Sequence, residues 1–235
     1  MGAVAGEATP RRSNVVDLLR GSPILGPLLA LIIASIFFAT QSDRFLTGAN
    51  MSLIIQQVMV VGTLAIGQTL IILTGGIDLS NGMIMALSSV LITGLAVESG
   101  MHPLLAILVG MGVCLAFGFL NGSLITAIGL PAFIVTLGTF NIAYALIRIY
   151  TTSTITQLPP ELLFLGNTFN IGTTEVTYGS VLMLILYAIT WYVLRSTAAG
   201  RAVYAVGDNP EAARLAGINT KRVLTGVYMV AALTY

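Results

Sequence analysis

Charge is scarce in this chain. Only 8% of its residues are Asp, Glu, Lys or Arg, against roughly a quarter in an ordinary soluble domain. Between Arg44 and Glu98 the only charged residue is Asp78, and between Glu98 and Glu161 the only one is Arg148. Runs of that kind are stable in hydrocarbon or deep inside a bundle, so a water-soluble globule is excluded. The net charge of +1 makes no case for nucleic acid, which calls for Lys and Arg clustered on one face. Cysteine and histidine occur once each, as Cys114 and His102. A lone cysteine in an apolar run supports neither a disulfide framework nor a zinc site. His102 sits in a short polar turn without the partners a metal needs. The chain has no GxxxxGK[ST] phosphate loop, no Gly-x-Ser-x-Gly elbow and no HExxH helix. Neither a catalytic residue nor a metal is expected, and the chain is not read as an enzyme.

Apolar residues make up most of what is there, 56% of the chain, and the mean hydropathy is +0.95. Six complete apolar stretches can be read: Ile24–Thr40, Leu53–Leu73, Met83–Val97, Pro103–Ala127, Pro131–Ile149 and Ser180–Leu194. A seventh begins near Val223 and breaks off at Tyr235. A crossing helix needs about 20 residues, so the third and sixth should extend into flanking polar residues. Arg11, Arg12 and Arg20 ahead of the first stretch imitate a signal peptide. That stretch is longer than a usual signal core and no small-x-small cleavage site follows, so an uncleaved anchor is expected.

Basic residues set the orientation. Arg11, Arg12 and Arg20 lie before the first span; Arg195, Arg201, Arg214, Lys221 and Arg222 follow the sixth. The connection at Tyr150–Gly179 contains Glu161 and Glu175 and no basic residue. The positive-inside rule then puts both basic segments in the cytoplasm, and an even number of crossings between them agrees. Tyr150 and Tyr178 would mark the outer interface, with Trp191 and Tyr192 at the inner one. The expected fold is an all-α polytopic membrane protein. Residues 1–22 form a cytoplasmic tail, 23–194 a six-helix transmembrane region, 195–222 a cytoplasmic loop, and 223–235 the start of a truncated seventh helix.

Small residues recur every fourth position in the fourth span, at Gly110, Cys114, Gly118 and Gly122, which lets another helix backbone approach closely. Polar residues inside spans are expensive and so become candidates for a translocation pathway. Gln57 and Gln68 share one face of the second span, three helical turns apart. Interhelical hydrogen bonding is the simpler reading for that pair. Asn141, Tyr144 and Arg148 share a face of the fifth span near its outer end. There a sugar hydroxyl could meet them, or Arg148 could snorkel while Tyr144 joins the interfacial belt. Asp78 and Ser80 lie in a glycine-rich turn between the second and third spans and are expected to cap the third or shape that turn.

The most polar segment is Gly200-Arg-Ala-Val-Tyr-Ala-Val-Gly-Asp-Asn-Pro-Glu-Ala-Ala-Arg-Leu-Ala-Gly-Ile218. Asn209 suits an N-cap, Pro210 the first helical position, Glu211 the positive helix end, and Gly217 the left-handed stop. A helix of about two turns is expected, spanning roughly 10 Å. This segment resembles the cytoplasmic coupling loop of permease subunits from ABC importers of the ribose-type monosaccharide class. Thr74-Gly-Gly-Ile-Asp-Leu-Ser80 and Pro131-Ala-Phe-Ile-Val-Thr-Leu-Gly-Thr139 resemble the same family in order and spacing. The likeness runs from about Phe45 to the C-terminus. Asn81 departs from it, standing where relatives usually have valine, and Ala127–Leu130 lacks a basic residue that many carry.

The resemblance implies a coupling helix, here Asn209–Gly217, between spans six and seven. Gly200, Arg201, Gly207, Asn209, Pro210, Glu211, Ala212, Ala213, Arg214, Leu215 and Gly217 would face or shape an ATPase groove. Ala212, Ala213 and Leu215 would supply apolar contact, and Arg201, Arg214 and Lys221 a polar rim. It implies ATP and magnesium on a separate ATPase chain, and no cofactor in this one. Further partners would be a periplasmic or lipid-anchored solute-binding protein, a second permease chain forming a homodimer, and membrane lipid. The location would be the bacterial inner membrane. Family members are longer with more spans, so a truncated chain unable to transport alone is expected. The rival readings are a branched-chain amino-acid permease of the wider family and an ion-coupled secondary transporter using Asp78 and Arg148.

Overall fold

A computed structural model describes residues 24–235; the tail at 1–22, with Arg11, Arg12 and Arg20, lies outside the described residues. Each apolar stretch is a helix. They are α1 Leu25–Gln41, α2 Gly48–Leu73, α3 Asn81–Val97, α4 Pro103–Ser123 and α5 Ala132–Tyr150. Next come a short α6 Pro160–Leu163 and a hairpin of β1 Thr168–Ile171 and β2 Thr174–Thr177. The chain closes with α7 Tyr178–Ser196, α8 Ala198–Asp208, α9 Pro210–Leu215 and α10 Thr220–Ala232. Among the described residues four helices are long and apolar enough to cross a membrane: Gly48–Leu73, Pro103–Ile128, Ala132–Tyr150 and Tyr178–Ser196. α1 and α3 are apolar but shorter, at 17 residues each.

Local chemistry explains most helix ends. Thr47, Thr177, Thr197, Asn209 and Asn219 each accept a hydrogen bond from a first-turn amide of α2, α7, α8, α9 and α10 respectively, the usual N-cap arrangement. His102 does the same for α4, its Nδ1 accepting from the Leu104 amide at 3.3 Å. At its other end α4 runs through a π-helical turn, Leu124–Ile128. Gly129, at φ 80°, and Pro131 then redirect the chain into α5.

Two parts of the chain depart from the sequence expectation. The Tyr150–Gly179 connection holds a hairpin with Thr168 opposite Thr177 and Ile171 opposite Thr174, and the Ser52 hydroxyl of α2 accepts from the Glu175 amide at 2.8 Å. Within 195–222 the chain is mostly helix, with α8 preceding the short helix expected there. α8 is held down by Val203 and Val206, both buried.

α10 occupies the centre of the packing. Val227, Tyr228 and Ala231 cluster with Leu70 and Ile71 of α2 and Val203 of α8. Ala232 joins Ile84 of α3 and Cys114 of α4 in a second cluster. The small-residue stripe of α4 serves two neighbours. A Cβ on Gly118 would lie 2.6 Å from the Tyr228 carbonyl oxygen, and one on Gly122 would lie 2.7 Å from Thr225 Cα, while Gly110 faces Ile92 of α3. On α2, Gly67 receives the end of α10, and Gly62 receives Met183. By contrast α1 buries none of its residues.

Candidate functional site

α9 is short but closed at both ends. The Asn209 side chain accepts from the Ala212 amide at 2.9 Å, and Pro210 occupies the first turn where its missing N–H costs nothing. At the other end the Gly217 amide donates to the Arg214 carbonyl and the Ile218 amide to the Ala213 carbonyl, both at 3.0 Å. Gly217 itself has φ 88°. This double closure is the Schellman arrangement, and it satisfies carbonyls that a frayed helix would leave to water. Arg214 donates to both carboxylate oxygens of Glu211, at 3.1 and 2.5 Å. The Arg214 hydrogen bonds, then its charge, hold the Glu211 carboxyl below the usual range.

The helix presents one face outward. Ala212, Arg214, Leu215 and Ala216 are exposed, Leu215 at 77%. Ala213 is buried, at 4%, which corrects the expectation that it offers apolar contact to a partner: its methyl is already used inside the chain. Gly200 and Gly207 are likewise inward. A Cβ on Gly200 would collide with the Leu194 carbonyl, and one on Gly207 with that of Leu73. Arg201 is exposed on α8. α9 packs against α8 and α10, which rest on α2, α4 and α7.

The same end of the bundle holds a buried polar turn. Asp78 is 4% exposed. Its Oδ1 accepts from the Ser80 amide at 2.7 Å and the Ser80 hydroxyl at 2.5 Å, and its Oδ2 accepts from the Tyr235 hydroxyl at 2.9 Å. Asn121 of α4 donates to the Ser80 hydroxyl at 3.1 Å, and Thr136 of α5 accepts from the Leu79 amide at 3.1 Å. The capping expectation needs correction. Ser80 is the N-cap residue of α3 but makes no side-chain cap bond. Asp78 braces the turn before the helix instead of capping its first turn.

The three sequence motifs therefore meet. Thr74–Ser80 is bonded to Thr136 of the proline-led segment, and the Leu73 carbonyl at its start packs on Gly207. Asn121, Thr136, Tyr228 and Tyr235 were not singled out in the sequence. The one signal available was a polar residue within an apolar span, and Asn121 between Gly118 and Gly122 carries it. Asn121 Oδ1 is buried without a partner among the described residues.

The pathway candidates form two open faces. Gln57 is exposed on α2. Gln68 is half-buried and accepts from the Asn81 side chain at 3.4 Å, beside a cavity of about 370 Å³. The departure at Asn81 thus has a bonded role. Asn141, Tyr144 and Arg148 are all exposed along α5, and the Asn141 amide donates to the Leu137 carbonyl at 2.8 Å. Arg148 is not near Asp78. Thr136, which touches the turn, precedes Arg148 by twelve residues, or about 18 Å along the helix. An Asp78–Arg148 coupling pair is not assembled. Among the described residues no cluster of His, Cys, Asp and Glu could hold a metal.

Residues 50–234 match the family described as branched-chain amino acid transport system / permease component. The chain is 43% identical over 222 residues to a fructose import permease protein of Rhizobium meliloti, covering 92% of this chain and 62% of that protein. It is 38% identical over 212 residues to a ribose import permease protein of Bacillus subtilis, covering 89% and 65% respectively. An autoinducer 2 import system permease protein of Photorhabdus luminescens is 29% identical over 210 residues, covering 89% of this chain and 62% of that protein. The chain thus spans somewhat under two thirds of the length of these relatives. No solved structure matches it. The chain belongs to the branched-chain amino acid transport system / permease component family.

Proposed function

We propose that this chain is a permease subunit of an ATP-driven importer that carries a monosaccharide-like solute across the bacterial inner membrane. In this reading it crosses by six helices, α1 to α5 and α7, with α10 the start of a seventh and the N-terminus in the cytoplasm. α8 and α9 lie in the cytoplasm, and a separate chain binds ATP and magnesium. A solute-binding protein docks outside, and a second copy completes the pathway. The observation that carries this is α9 itself: a six-residue helix stopped at both ends, with Leu215 exposed on its outer face. Such an element moves as a unit, and its load passes through α8 and α10 to α2 and α4, and from α4 on to α5. That is rigid-body transmission, as in alternating access.

The names of the fructose and ribose relatives support a sugar as the solute. The family description keeps a branched-chain amino acid as the second reading, and competition between the two solute classes for uptake separates them.

Leu215 gives the direct test. Burying an exposed leucine at an interface contributes about 2 kcal/mol, or about thirtyfold in affinity. Leu215→Asp should therefore lower ATPase co-purification by at least that factor while the chain remains membrane-inserted. Unchanged co-purification would overturn the coupling role of α9. Labelling of Ala212→Cys by an impermeant maleimide added outside intact cells would overturn the topology.

A further inference from the structure

We infer that the corner between α7 and α8 is a binding site for an anionic phospholipid, with its phosphate held between Arg195 and Arg201. A notch of about 440 Å³ there is lined by Trp191, Leu194, Arg195, Arg201 and Tyr204. The Arg195 guanidinium lies over the Trp191 ring at 5.1 Å from its centroid, a cation–π contact that fixes the charge in place. Both arginines are exposed, and among the described residues neither forms an ion pair, the Glu211–Arg214 pair being elsewhere. Arg201 also sits in the first turn of α8, which holds no acidic residue. The positive end of that helix usually attracts an acid; here it adds to two guanidiniums. Asp208, also exposed, is two turns further along α8 and is not among the lining residues.

The neighbouring surface selects an amphiphile over free phosphate. Leu194 also lines an apolar cleft of about 300 Å³ between α7, α8 and α10, in whose lining Arg222 is the one charged residue. A basic notch and an apolar cleft joined at a single leucine match a headgroup phosphate continuous with an acyl chain. Trp191 and Tyr204 are both exposed and are residue types that settle at headgroup depth. α8 has the matching shape, burying Val203 and Val206 while exposing Arg201 and Tyr204. Arginine forks also match phosphate oxygens in pairs.

The site rests on the proposed reading only in taking α7 as a membrane span. Its test does not depend on which side is cytoplasmic, because both leaflets of a nanodisc have the same lipid. The chain is placed in nanodiscs of phosphatidylcholine with and without phosphatidylglycerol, and retained lipid is counted by native mass spectrometry after release. Wild type should retain phosphatidylglycerol in preference to phosphatidylcholine. Arg195→Gln or Arg201→Gln should each weaken that retention about fivefold, and the double variant about thirtyfold. The pair Arg195→Lys with Arg201→Lys keeps the charge, controls for folding, and should stay within a few-fold of wild type. Equal retention of both lipids by wild type, or undiminished phosphatidylglycerol in the double glutamine variant, would overturn the site. So would crosslinking of Arg201→Cys to an ATPase chain in the assembled importer, which would assign the notch to protein.

Discussion

Replacing Asp78 tests whether its carboxylate braces a turn or carries charge during transport. The carboxylate accepts three hydrogen bonds in a site 4% exposed. Asp78→Ala strands the Ser80 amide, the Ser80 hydroxyl and the Tyr235 hydroxyl. A buried donor left unpaired costs about 1–3 kcal/mol. The Ser80 hydroxyl can turn to another acceptor, which leaves two stranded donors, so the loss should be roughly 2–6 kcal/mol, against a total stability of about 5–15 kcal/mol. Asp78→Asn behaves differently. Its oxygen keeps both Ser80 bonds, and the Tyr235 hydroxyl can rotate to accept from the new amide. What is lost is the charge assistance of the bonds, about 1 kcal/mol each, partly offset by no longer burying a charge. Denaturant titration of the purified chain in mild detergent should show alanine strongly destabilised and asparagine within about 2 kcal/mol of wild type. On the proposed reading, asparagine should also leave uptake by the assembled importer at the wild-type level. Wild-type stability in the alanine variant would refute the hydrogen-bond reasoning. Normal folding with abolished uptake in the asparagine variant would show that the charge itself works in transport.

Two further outcomes follow from the packing and the surface helix. Gly118→Ala places a methyl 2.6 Å from the Tyr228 carbonyl and 2.8 Å from Met229 Cα. It should cost about 1–3 kcal/mol by overpacking, whereas Gly112→Ala, with nothing within 4 Å, should be neutral or slightly stabilising in the same titration. The Glu211 carboxyl is held below its usual range by Arg214, so the pair's contribution is complete above the unfolded carboxyl's pKa and is lost as pH falls through the lower folded value. Amide exchange in α9 should accordingly stay slow through mildly acid pH and accelerate only below the ordinary carboxylate range. The same profile in Glu211→Gln would remove the pair as the cause.

The apolar helices and the caps of α9 were legible because the rules behind them act over about one turn. Pro131–Ile149 was read and Ala132–Tyr150 is found, since a long apolar run between a proline and an interfacial tyrosine leaves little choice of ends. Asn209, Pro210 and Gly217 announced α9 because each bond in its closure spans three to five residues. The hairpin at 168–177 was not legible: strands of four residues carry too little periodicity, and a serine on α2 helps hold it. The stripe at Gly110, Cys114, Gly118 and Gly122 announced that a backbone would dock on α4, but not that α3 and α10 would share it. Nor could pattern reveal that Asp78 answers to Tyr235, 157 residues away, or that Ala213 points inward while Leu215 points out. Periodicity assigns a residue to a face of its own helix; the partner on that face is chosen by shape and polar satisfaction among helices distant in the chain. That choice brought the three motifs to one end of the bundle.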